Sequence, residues 1–228
     1  MNTKTKIRRI LSLLDNAYGK PPVLQRSDPV DELVRTILSQ NTNDKNSLAA
    51  FAILKKNFKS WDSLMKTPTA KVARLIKHAG LANIKAGRIK EVLEEIKRRE
   101  DEITLSFLNI FTVKDALEYL KSLKGVGPKT AACVLLFSFD KGVLPVDTHI
   151  FRVTKRLGLL DAKTSIDEAH SILTDIVPKH LIYRFHLGII EHGRKTCIAQ
   201  GPRCGSCILY RLCAFEKKAF YRKKELCQ

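Results

Sequence analysis

The chain has 228 residues, enough for one large domain or two modest ones, and 44% of them are hydrophobic, which excludes a disordered tail. Lys and Arg number 41 against 23 Asp and Glu, a net charge of +18. That surplus favours a polyanionic partner, nucleic acid ahead of an anionic membrane or acidic proteins, with a merely soluble basic surface as the alternative.

The N-terminal stretch MNTKTKIRRILSLLDNAYG lacks the apolar core and cleavage site of a secretory signal. Ile7, Ile10, Leu11 and Leu14 recur at helical spacing and predict an amphipathic helix over 5–18. Further helices are expected at 29–40, 44–57, 69–79, 84–99, 113–123, 128–139, 148–157, 166–177 and 179–193. Asn43 or Asp44 and Thr112 supply cap signals, while Gly80, Gly125, Gly127 and Gly142 punctuate boundaries. Strict alternation, fixed-period repeats and low-complexity segments are all missing, so the expected class is all-α. No run of about 18 apolar residues suggests a membrane span. The expectation is an intracellular, reducing location, where six cysteines mean metal or chemistry before disulfides.

Three constellations stand out. In LKGVGPKTAACVL, residues 123–135, two short helices are joined by Lys124, Gly125, Val126 and Gly127. Glycine permits positive φ and close backbone approach, and Pro128 suits the first helical position. With Val126 buried, the result is a helix–hairpin–helix whose outward N–H groups can grip a DNA phosphate. From the GxG alone, an ordinary helix–helix turn is an equal reading. Lys129 then falls in the first turn of a helix, where acidic residues are preferred.

In LPVDTHIFRV, Asp147 occupies the natural N-cap of the next helix, and taken alone the cap reading is sufficient. In CIAQGPRCGSCILYRLC, Cys197, Cys204, Cys207 and Cys213 are spaced C-x6-C-x2-C-x5-C. Zinc sites usually show two close pairs. Only one is present here, so a single [4Fe–4S] cubane is favoured over zinc, with disulfides third. Cys133 and Cys227 lie outside the pattern and read as a core thiol and a free thiol.

LKGVGPKTAACVL, VDTHIFRV and HGRKTCIAQGPRCGSC, in this order and with Lys129 and Asp147 18 positions apart, resemble the endonuclease III family of helix–hairpin–helix glycosylases. The similarity extends to ILSQNTND and HAGLANIKAGRI, nearly the whole chain. It implies a two-domain fold: a helical barrel over 24–141, and an iron–sulfur domain formed by 1–23 with 142–228. Double-stranded DNA with damaged bases or abasic sites is expected in the groove between them, the damaged base flipped out of the stack. The resemblance also implies a monomer in the cytoplasm or nucleoid of a prokaryote, with no membrane partner.

The same resemblance assigns roles. Lys129 attacks the sugar C1′ and forms a Schiff base, Asp147 assists and stabilises positive charge, and β-elimination nicks the strand. At a helix N-terminus in a partly desolvated groove the ammonium form is penalised, which turns the awkward lysine into a nucleophile. Relatives that only excise bases lack this lysine, so the implied activity is a bifunctional glycosylase and abasic-site lyase for oxidised pyrimidines. Alkylated purines or mismatched bases are the alternative, and a non-catalytic DNA-binding relative would need neither Lys129 nor Asp147. Lys124, Gly125, Val126 and Gly127 are the implied backbone contacts. Where the family often has LSAQATD or LSSQTKD, this chain has LSQNTND. Asn41 therefore falls where a glutamine fills the hole left by the flipped base, with Gln40 one step early. Leu81 matches the apolar wedge. His149 is expected to brace a helix start, and His192 and Arg194 to pack or contact the DNA backbone.

Overall fold

The computed structural model describes residues 2–227, and among these it is helical throughout with no strand. The chain divides into two compact units, residues 25–141, and residues 1–24 together with 142–228.

The continuous unit begins with α2 (Pro29–Ser39), which follows α1 of the other unit (Thr3–Tyr18). Asp28 caps α2 by accepting from the N–H groups of Val30 and Asp31, and Pro29 takes the first turn, where its missing N–H costs nothing. Val30, Leu33, Val34, Ile37 and Leu38 form its buried face. Next come α3 (Asp44–Asn57), capped by Asn43, α4 (Trp61–Met65), α5 (Thr69–Leu75) and α6 (Ala82–Glu100). The hairpin helices α7 (Val113–Ser122) and α8 (Pro128–Phe139) close the unit. Eight of the 12 residues of α8 are buried, so it is a core helix, and it packs on α2 and α7.

The sequence-predicted helix over 69–79 is in fact α5 followed by a separate 3-10 turn at Lys77–Ala79. Ile76, at φ −98° and ψ 17°, breaks the α-helical ladder between them. Gly80 then turns the chain at φ +67°.

In the other unit α1, capped by Asn2, packs on α11 (Ile182–Lys195) through Ile7, Ile10, Leu11 and Leu14. α9 (Thr148–Arg156) packs on α11 as well, and α10 (Ile166–Ile176) starts with a capping box between Ser165 and Glu168. The segment expected as one helix over 179–193 opens instead with a 3-10 turn at Lys179–Leu181, directly after Pro178. A final helix, α12 (Lys218–Leu226), carries no buried residue.

Candidate functional site

Thr112 caps α7 by accepting from Asp115 N, and Leu123, Gly125 and Val126 make the turn into α8. Gly125 has φ +83°, and Val126 is 5% exposed with its N–H bonded to Leu123 O at 3.0 Å. Gly127 adopts ordinary extended backbone at φ −88° and ψ 176°, so only the first glycine needs the left-handed region. No side chain caps the start of α8, which leaves first-turn N–H groups for an outside acceptor. Lys129 stands in that first turn, half-buried, with no acidic residue in the same turn.

Two charged neighbours shape this corner. Lys124 lies in the turn with its side chain 83% exposed, 3.2 Å from Glu91 Oε2. Such an exposed pair is worth about 1 kcal/mol or less and is readily exchanged for a phosphate. Glu32, on α2, is buried and accepts from Ser27 Oγ at 3.0 Å and Arg35 Nη1 at 3.1 Å. Burial raises its pKa, while attraction to Arg35, hydrogen bonds from Ser27 and Thr36, and attraction to Lys129 oppose the rise. A buried carboxylate therefore lies within electrostatic reach of Lys129, a neighbour that sequence reading did not find.

The loops after α2 and before α6 carry the other candidate DNA contacts. Gln40 Oε1 is already engaged, accepting from Arg88 Nη1 at 2.9 Å. Asn41 is exposed at φ +52°, and its side chain makes no hydrogen bond with the described residues. Leu81 is also left-handed, at φ +49°, with 52% of its surface in solvent. A large apolar side chain held out into water on a strained backbone is unusual, and such strain clusters at functional sites.

In the split unit Asp147 caps α9, its Oδ1 accepting from Ile150 N at 2.7 Å. Oδ2 takes no hydrogen bond from the described residues. His149 Nδ1 lies 3.2 Å from Arg152 Nη2, which also donates to Gly193 O at 2.8 Å. His149 thus braces the α9–α11 contact. His192 is buried, with Nδ1 3.0 Å from Tyr18 Oη and Nε2 3.7 Å from Cys207 Sγ, and burial lowers its pKa to about 4.

Cys197, Cys204, Cys207 and Cys213 line one pocket with Val153, Leu157, Leu209 and Phe215, and none is in a disulfide. Arg156 ties the loop to α9, donating to Ile198 O at 2.8 Å and Ala199 O at 3.0 Å, with Nη1 3.3 Å from Cys197 Sγ. Burial pushes the Cys207 thiol up to about 12 and raises Cys204 and Cys213. No three His, Cys, Asp or Glu among the described residues converge closely enough to share a single metal ion. Cys133 is buried in α8 and Cys227 is exposed.

Comparison with known proteins decides the family. The model of the HhH-GPD superfamily base excision DNA repair proteins matches residues 34–179. Endonuclease III of Haemophilus influenzae is 34% identical over 217 residues, 94% of this chain and 98% of that protein. The chain belongs to the endonuclease III family. A protein of Arabidopsis thaliana that carries the name DNA glycosylase is 34% identical over 165 residues, and this chain spans 56% of its length. A solved structure of a trapped endonuclease III–DNA covalent intermediate superposes with a TM-score of 0.80 at 28% identity, covering 96% of this chain and all of that one. Membership carries the activity class, a base excision repair DNA glycosylase/lyase. No helix among the described residues is long and apolar enough to cross a membrane.

Proposed function

We propose that the chain excises oxidised pyrimidines from double-stranded DNA and nicks the resulting abasic site, acting as a monomer in the cytoplasm or nucleoid of a prokaryote. The observation that carries this reading is Lys129 itself: a half-buried amine in an uncapped first turn, two residues beyond the glycine hairpin. The hairpin N–H groups of Gly125 and Gly127, with Lys124, hold a phosphate of the damaged strand. Lys129 Nζ forms a bond to the sugar C1′, and the C1′–N bond breaks with its electron pair leaving on the base. The amine loses its protons as a Schiff base forms and the sugar ring opens. Loss of a C2′ proton then expels the 3′ phosphate, and water returns the free lysine. Asp147, oriented by its bond to Ile150 N, offers negative charge while the sugar is cationic.

Leu81 wedges into the stack and Asn41 occupies the space of the departed base, Gln40 being engaged by Arg88. Cys197, Cys204, Cys207 and Cys213 hold one [4Fe–4S] cluster. The donor set supports this: four cysteines line one pocket, with a single close C-x2-C pair where zinc sites usually show two. Ligation needs the thiolate forms, so binding the cluster would release the protons of these buried thiols. When bound, the cluster cross-links the loop.

Borohydride trapping tests the central step. Wild type should give a reduced covalent adduct on lesion and abasic duplexes, and Lys129→Ala should give none. Asp147→Asn keeps a capping side chain. It should therefore slow base release far more than nicking of a pre-formed abasic site. An adduct from Lys129→Ala at wild-type yield would place the nucleophile elsewhere. A duplex panel should show thymine glycol released ahead of alkylated purines and mispaired thymine.

A further inference from the structure

Lys85, in the first turns of α6, is 1% exposed and ion-pairs with no described residue. Its ammonium donates to two backbone carbonyls only, Leu38 O at 2.7 Å and Ala79 O at 2.6 Å. Burying a lysine is costly, and its pKa is lowered by burial. A methionine or leucine would fill the same volume at no such cost, so packing alone does not account for the cation.

What the cation touches does account for it. Leu38 lies at the C-terminal end of α2, three residues before Asn41. Ala79 ends the 3-10 turn, two residues before Leu81. Both carbonyls belong to the negative ends of helical segments, where a cation is favoured. Both loops contain a non-glycine residue held left-handed, a conformation that persists only where its flanks are fixed. One turn further along α6, Arg88 holds Gln40, so a single helix face governs the position of both loops.

We infer that Lys85 is a positioning residue that couples the Asn41 loop to the Leu81 loop, so that filling the vacated space and wedging the stack occur as one movement. The inference rests on the proposed DNA-probing role of those two loops. Without the ammonium, each loop keeps its own helix but the spacing between Asn41 and Leu81 is no longer set.

The test uses full-length Lys85→Met and Lys85→Arg beside Leu81→Ala and Asn41→Ala, with thermal unfolding to confirm folding. Single-turnover rates are measured on a thymine glycol duplex and on the same duplex with a pre-formed abasic site, where no base has to leave the stack. Lys85→Met should slow lesion excision about 10- to 100-fold, the scale of an ångström-sized misplacement. Abasic nicking should fall about threefold or less, since extrusion is the step impaired. Should Lys85→Met fail to fold, Lys85→Arg keeps the charge on a bulkier head and should shift the same ratio by a smaller factor. Equal slowing on both substrates, or a wild-type ratio in the folded variants while Leu81→Ala shifts it, overturns the coupling. If Leu81→Ala and Asn41→Ala both keep the wild-type ratio, the probing role of the loops falls first, and the coupling falls with it.

Discussion

Glu32 is held out of water between Ser27, Arg35 and Thr36, and burial lifts its pKa above the ordinary 4.5. Between that value and the raised one, the folded chain keeps a proton that the unfolded chain has lost. The associated stability is complete below about pH 4.5 and fades as pH rises through the folded value. Glu32→Gln cannot titrate, so it should gain stability on wild type between about pH 5 and pH 7.5, read from denaturant midpoints. A difference that is the same at both pH values would remove burial as the cause. Residues of this kind are the least visible in a sequence. Asp147 and Asn43 cap helices within three residues of themselves, so their hydrogen bonds could be read from local order. The partners of Lys85 lie 6 and 47 positions away, and in ANIKAGRIKEV it is one cation among several.

Helices with an apolar stripe were legible to within a few residues, because burial imposes the 3.6-residue period on the sequence. Short or unburied ones were not. α4 is five residues long and set by the Ser60–Ser63 capping box, too brief for any period to show. α12 has no buried residue, so its sequence carries no stripe, and its anchors are tertiary. Glu225 accepts from Gly205 N at 2.6 Å and Ser206 Oγ at 2.7 Å, while Lys218 Nζ donates to the carbonyl of Cys213. α12 therefore straps the cysteine loop from outside. Glu225→Ala removes a charged acceptor from two donors, a loss of about 1.5–3 kcal/mol for such bonds. Trypsin cleavage after Arg203 should then be roughly tenfold faster or more. An unchanged rate would mean the loop is held without its strap.

For the molecule as a whole, the +18 charge becomes a quantity when the partner is DNA. Few of these cations reach one duplex at once. With about four to six phosphates neutralised at roughly −0.9 each, the slope of log affinity against log salt should be about −3 to −6. A slope near zero on undamaged duplex would remove electrostatics from recognition. The nesting of one unit inside the sequence of the other matters before any DNA is met. α1 ends at Tyr18, but α11, the helix that covers Ile7, Ile10, Leu11 and Leu14, starts only at Ile182. The main packing partners of α2 through α8 are synthesised in the interval, so residues 25–141 can begin to close their core on the ribosome. α1 cannot, and at about 5–20 residues per second its oily stripe waits roughly 10–30 s for cover. The apolar stripe of α1 thus stays uncovered while residues 25–181 are made, and α1 gains its packing partner only once α11 has emerged.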